Sequence, residues 1–257
     1  MTVIVIGAAG ELGQLVVAGL TQRGVSVRGL SRRPRPGCTV ADLADPAALD
    51  AAFADGRALF LVSSPTREQV TLETNAINAA ERAGIEHIVK VSNIPIAGLE
   101  TGLHGNHRMI ERRLDESSCR ATVLQPSFFT SVINKQRELI ARGRIVLPIG
   151  RGKIAWIDPR DIAAVAVETL TRSDLDRPLQ LTGPEALGGD EVAARLRVEW
   201  VNPPLAQWRD AAERSGLDPW LAESTVHLYE AVARGALSSV TDTVTSVTGR
   251  APRRAFE

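Results

Sequence analysis

The 257 residues carry 30 basic and 30 acidic side chains, so the formal net charge is zero and nothing in the balance suits a nucleic acid or an anionic membrane. The only two cysteines, Cys38 and Cys119, stand apart, with no CxxC spacing and few histidines nearby, which excludes a disulfide scaffold and a zinc site and favours a reducing, cytoplasmic setting; no bound metal is expected. No run approaches the ~20 apolar residues of a membrane span, the first residues lack the basic segment and cleavage site of a signal peptide, and the length allows a full α/β core acting on a small molecule.

Residues 3–6 read as a short apolar strand and residues 11–23 as a helix with Leu12, Val16, Val17 and Leu20 on one face. Between them Gly7, Gly10 and Gly13 give GxxGxxG, the turn of a dinucleotide-binding βαβ unit. Gly7 suits a tight exit with positive φ, Gly10 lets backbone approach a pyrophosphate, and Gly13 lets helix and sheet pack closely. Gly7, Ala8, Ala9, Gly10, Glu11, Leu12 and Gly13 are therefore the expected cradle, with the N–H groups of the first helical turn facing the phosphates.

A second strand over residues 25–30 ends in Ser31, Arg32 and Arg33. A carboxylate here would suit a free ribose 2′-hydroxyl, whereas arginine grips a 2′-phosphate, so the expected cofactor is NADP(H). Residues 38–43 form a third strand candidate ending in Asp42 and Leu43. These either meet the adenine, Asp42 accepting from its amino group and Leu43 packing on the ring, or serve as an ordinary turn before a helix over 46–53. The strand over 58–62 ends in Ser63, Ser64 and Pro65, small enough to pass close to ribose and nicotinamide. A helix over 69–83 leads to HIVKVSN, which places Ser92 and Asn93 at another strand's carboxyl end, the edge where open parallel sheets bind ligands.

Residues 95–106 read as an irregular, glycine-containing loop. The helix expected from residue 107 puts His107 and Glu111 on one face; His107 is the candidate catalytic proton donor with Glu111 orienting it, or the two form a plain surface pair. After a strand over 121–125, Pro126, Ser127 and Phe128 form an apolar corner suited to the nicotinamide or to a flat substrate. A helix over 133–142, a strand within 150–156, a helix from Asp158 to Leu170 and a strand over 179–181 follow. Residues 183–257 turn to successive helices at 204–215, 219–233 and 238–248.

The GAAGELG turn, SRRP, ADLADPAAL, LVSSP, ERAGIEHIVKVSN, LQPSFF, GKIAWIDPRDIAAVA, LQLTGPEAL and VTGRAP occur in an order that resembles the NmrA-like family of atypical short-chain dehydrogenase/reductases. The HxxxE of His107 and Glu111 and the GKIA segment are most similar to its quinone-reductase branch. The resemblance implies an α/β, Rossmann-type doubly wound parallel sheet with a smaller, mostly helical C-terminal substrate subdomain. Residues 1–150 would bind the nucleotide, a strand and helix within about 153–182 would join the sheet, and 183–257 would form a helical lid. It also implies NADPH-dependent hydride transfer to a quinone or similar conjugated molecule, or else a non-catalytic NADP(H) redox sensor acting through a protein partner, and it leaves room for a homodimer. The YxxxK pair of ordinary short-chain dehydrogenases is absent, and the segment 188–204 is shorter than the resemblance leads one to expect.

Overall fold

The computed structural model describes residues 1–172, 174–175 and 178–257. Along the chain come β1 (Thr2–Val5), α1 (Glu11–Gln22), β2 (Ser26–Ser31), β3 (Cys38–Val40), α2 (Pro46–Phe53), β4 (Ala58–Leu61), α3 (Gln69–Arg82), β5 (His87–Val91), α4 (Gly102–Asp115) and β6 (Arg120–Pro126). Next are α5 (Ser131–Asn134), α6 (Arg137–Ala141), β7 (Arg144–Val146), α7 (Pro159–Thr171), β8 (Leu179–Leu181), α8 (Gly189–Leu196), β9 (Glu199–Val201), α9 (Leu205–Arg214), α10 (Pro219–Ala233) and α11 (Thr243–Thr248).

Seven strands make one sheet in the order β3-β2-β1-β4-β5-β6-β8. The pairings of β1 with β2 and β4, β2 with β3, β4 with β5, and β5 with β6 are all parallel. Strand order reverses between β1 and β4, so the sheet is doubly wound, as the sequence led us to expect, and its ligand crevice belongs at the carboxyl ends of those strands. Both central strands β4 and β5 are buried along their whole length, which is why ALFL reads as a continuous apolar run rather than an alternating one. HIVKV departs from that rule by taking His87 and Lys90 into the interior.

The chain forms two compact units that are interleaved rather than consecutive. The first holds residues 1–93, 106–125 and 159–179, and the second holds 94–105, 126–158 and 180–257. Helix α7 belongs to the first unit, where it packs on α1. Gly19 makes the fit: a Cβ there would lie 2.8 Å from Val167 Cγ2. Ile4, Leu59, Leu61, Ile77, Ile88 and Ile110 lie in the first unit's core, while Trp156, Leu147, Leu187, Val192, Tyr229 and Val232 lie in the second's.

Several local expectations need correction. Helix α4 begins at Gly102, so His107 sits within the helix instead of at its start; the Leu103 N–H is received by Ser224 Oγ at 3.3 Å. The helix expected over 133–142 breaks into α5 and α6, because Gln136 leaves the helical pattern to donate to Val146 O (2.9 Å) and accept from Val146 N (2.8 Å). Residues 150–156 form no strand of the main sheet, only an isolated antiparallel bridge between Ile154 and Leu187. The third strand is only Cys38–Val40, the last helix only Thr243–Thr248, and β9, which pairs with β7 in parallel, was not foreseen.

Candidate cofactor and active site

The glycine turn is built as a cradle. Gly7 has φ +75°, and a Cβ on it would come within 2.6 Å of Val62 O; a Cβ on Gly13 would sit 2.1 Å from Gly7 O. Neither site has room for alanine. Gly10 differs, since its Cβ would meet only Gly7 O, at 3.3 Å, so the protein's own packing does not demand glycine there. Its N–H donates to Gly7 O at 2.9 Å, and no side chain caps α1. Helical bonding starts with Gln14 N donating to Gly10 O at 2.9 Å, which leaves the N–H groups of Glu11, Leu12 and Gly13 without helical carbonyls. Ala8 and Leu12 point into the core, while Ala9 O is held by Gln14 Nε2 at 2.9 Å. These residues fit a pyrophosphate, which uses backbone donors and needs no side chain.

At the carboxyl end of β2 the Arg33 N–H donates to Ser31 Oγ at 3.4 Å. Arg32 and Arg33 are exposed, and among the described residues no ion pair engages them. Asp42 and Leu43 take structural parts. Asp42 Oδ1 accepts from Ala44 N at 2.9 Å and its carbonyl from Asp45 N at 3.0 Å, which forms the turn before α2. Asp45 then caps α2 by accepting from Ala47 N and Ala48 N, and Leu43 joins the core with Leu49 and Phe53.

The strand ends of β4 and β5 carry the most charge-dense interior in the unit. Lys90 Nζ lies 2.9 Å from Glu73 Oε2, with both side chains fully buried, and also donates to Val91 O and to His107 Nδ1, the latter at 3.4 Å. Glu73 Oε1 receives Ser63 Oγ at 2.6 Å and Gln69 Nε2 at 3.2 Å. A second set adjoins it. Ser92 Oγ donates to Glu111 Oε1 at 2.6 Å, and Arg108 pairs with Glu111 at 2.7 Å. Arg108 also donates to Ser92 Oγ (2.9 Å), Asn93 O (2.9 Å) and Asn93 Oδ1 (3.0 Å). Burial lowers the proton affinity of the Arg108 guanidinium below its ordinary value, partly offset by the facing Glu111.

The structure thus brings Ser63, Ser92, Asn93 and His107 together, with Ser64 and Pro65 exposed just beyond β4. The carboxylate that the sequence assigns to orienting His107 is committed to other donors: Ser92, Arg108 and Gln125, whose Nε2 lies 3.4 Å away. Residues missed by sequence reasoning are Glu73, Gln69 and Lys90. The one available signal was a lysine among the valines and isoleucine of a central strand.

Pro126, the last residue of β6, belongs with Ser127 and Phe128 to the second unit. There Ser127 N donates to Leu181 O at 2.8 Å, and the Phe128 ring lies 5.5 Å from Trp156 and 6.1 Å from Tyr229. Tyr229 is itself buried in this aromatic core, which pushes its phenol well above the ordinary range. A phenol so placed stays neutral and does not stand in for the tyrosine of YxxxK.

A family model described as NAD(P)H-binding matches residues 7–173, from the glycine turn through α7. The NAD(P)H azoreductase of Xenophilus azovorans is 34% identical across 99% of this chain and 95% of its own. Quinone oxidoreductase 2 of Escherichia coli is 26% identical across 96% and 93%. The crystal structure of an NADPH-dependent quinone oxidoreductase from Escherichia coli in complex with NADPH superposes with a TM-score of 0.86 at 24% identity, covering 99% and 97% of the two chains. The chain belongs to this NAD(P)H-binding family.

Proposed function

We propose that this NAD(P)H-dependent reductase delivers hydride from NADPH to a quinone or a similarly conjugated small molecule. The observation that carries the reading is the partnered buried network that includes His107, set at the carboxyl ends of β4 and β5 beside the strand whose glycine turn fits a pyrophosphate. The names of the relatives agree with it, since azo groups and quinones are both conjugated electrophiles.

Bound NADPH supplies the hydride; the chain's own residues hold, orient and neutralise. The N–H groups of Glu11, Leu12 and Gly13 hold the pyrophosphate, and Arg32 and Arg33 take the 2′-phosphate. Ser63, Ser64, Pro65, Ser92 and Asn93 border the ribose and nicotinamide. His107 gives a hydrogen bond to the oxygen on which negative charge develops. A reduced quinone is an aromatic oxyanion that water can protonate, so the reaction does not require an acidic tyrosine. That matches a chain whose single tyrosine is in the second unit's core.

The test is to mix purified protein and NADPH with a panel of benzoquinones, naphthoquinones and azo dyes and to follow the nicotinamide absorbance. Consumption that falls strongly in His107→Ala is expected. NADPH binding with no consumption across the panel would replace this reading with that of a redox sensor.

A further inference from the structure

Placing two charges in a protein interior costs several kcal/mol per ion before their attraction is counted, and apolar residues of like volume often serve stability as well. Lys90 and Glu73 are nonetheless both fully buried. The directions of their hydrogen bonds supply a use for them. An ammonium has three N–H groups and no lone pair. It is ion-paired with Glu73 Oε2 at 2.9 Å, and its hydrogen-bond partners are Val91 O and His107 Nδ1. The contact with the imidazole therefore has one sense: Lys90 donates and Nδ1 accepts. A neutral imidazole that accepts at Nδ1 carries its proton on Nε2.

We propose that Lys90 is a positioning residue that holds His107 as the neutral Nε2–H tautomer, making Nε2–H the hydrogen bond that His107 offers to the substrate oxyanion. This rests on the reading that His107 serves the reduction. The arrangement is oriented from behind: Ser63 and Gln69 occupy Glu73 Oε1, which leaves Oε2 to fix the ammonium. The charged groups around the ring are Lys90 from β5, Glu73 from α3, and Arg108 and Glu111 from its own helix α4. Arg108 and Glu111 neutralise each other, as do Lys90 and Glu73, and Lys90 is the partner placed at Nδ1. A second ring proton would set Nδ1–H against Nζ–H, so one of them would have to turn away. Polarised by the ammonium, Nε2–H becomes a stronger donor, while the proton that completes the reduction comes from water.

The test uses the protein loaded with NADP+ and labelled with 15N in the histidine rings, His107 being assigned by the signals lost in His107→Gln. At pH 7 His107 should show an unprotonated Nδ1 and a protonated Nε2. In the double variant Lys90→Met with Glu73→Gln, which removes both charges together, the ring should lose that single tautomer. A proton on Nδ1 of the unsubstituted protein overturns the inference without reference to turnover, and so does a double variant whose His107 signals match the original. A fixed Nε2–H tautomer in a protein that reduces nothing in the panel supports the assignment to Lys90 and rejects the quinone reading. Should the double variant not fold, the tautomer of the unsubstituted protein decides alone.

Discussion

The two units fill their interiors by opposite means. In the first, the space at the strand ends is occupied by Glu73, Lys90, Ser92, Arg108 and Glu111, each bonded to a named partner. In the second, Trp156 stands 5.3 Å from Phe256 and 5.5 Å from Phe128, and Tyr229 5.1 Å from Trp208, with ring planes tilted or edge-on. Ring packing specifies shape and tolerates any proton arrangement. A charged network specifies where each proton lies and loses its meaning if a single member is removed. The contrast separates two kinds of interior: hydrogen-bonded charged groups are gathered around β4 and β5 in the first unit, whereas aromatic rings fill the core of the second.

This contrast can be broken experimentally. The largest effect is expected from Lys90→Met, which leaves Glu73 charged, buried and unpaired at a cost of about 3–5 kcal/mol in denaturant unfolding. Adding Glu73→Gln should return much of it; a double variant as unstable as the single one would show that volume, and not charge, holds that interior together. Trp156→Ala should cost a similar ~3–5 kcal/mol through the cavity it leaves, with no partner substitution that repairs it. Next in size, Arg32→Ala should weaken NADPH binding by about 1.5–3 kcal/mol and leave NADH nearly unchanged in paired titrations; equal losses would remove Arg32 from cofactor selection. The smallest effect concerns acid. Glu185 is pulled down to about 2 by hydrogen bonds first from Arg195 and then from Arg254. Because its folded-state value lies below its ordinary one, the unfolded chain binds the proton more readily, so the contribution is complete above about pH 5 and fades as pH falls toward 2. Thermal melts across that interval should flatten in Glu185→Gln.

Much of the first unit was legible because its signals are local. The glycine spacing, Pro46 at the first turn of α2 and the apolar runs of β1, β4 and β5 each state their structure within a few residues. The pairing of Glu73 with Lys90 was not legible, since it depends on how α3 lies on the sheet and joins residues seventeen apart in the chain. Asp42 shows the opposite limit: a residue suited to two roles was seen in the structural one, its carboxylate closing a turn. In the second unit, the Gln136 side chain bonds to the backbone of a strand ten residues on, a pairing periodicity does not reveal. Trp200 lies against Gly189, where a Cβ would come within 2.1 Å of the indole, so even the short α8 and β9 segment is organised by one long-range contact.

The interleaving of the units also governs how the protein can be taken apart. The backbone passes from one unit to the other at 93/94, 105/106, 125/126, 158/159 and 179/180. Each unit is made of three segments separated by segments of the other, so neither can be expressed as one uninterrupted stretch of gene. Transplanting the second unit from a relative to change acceptor preference would mean exchanging three separate segments at once, and a crossover at one point should yield an unfolded chimera. Inheritance as a whole, with change confined to single side chains, is the route such a chain leaves open.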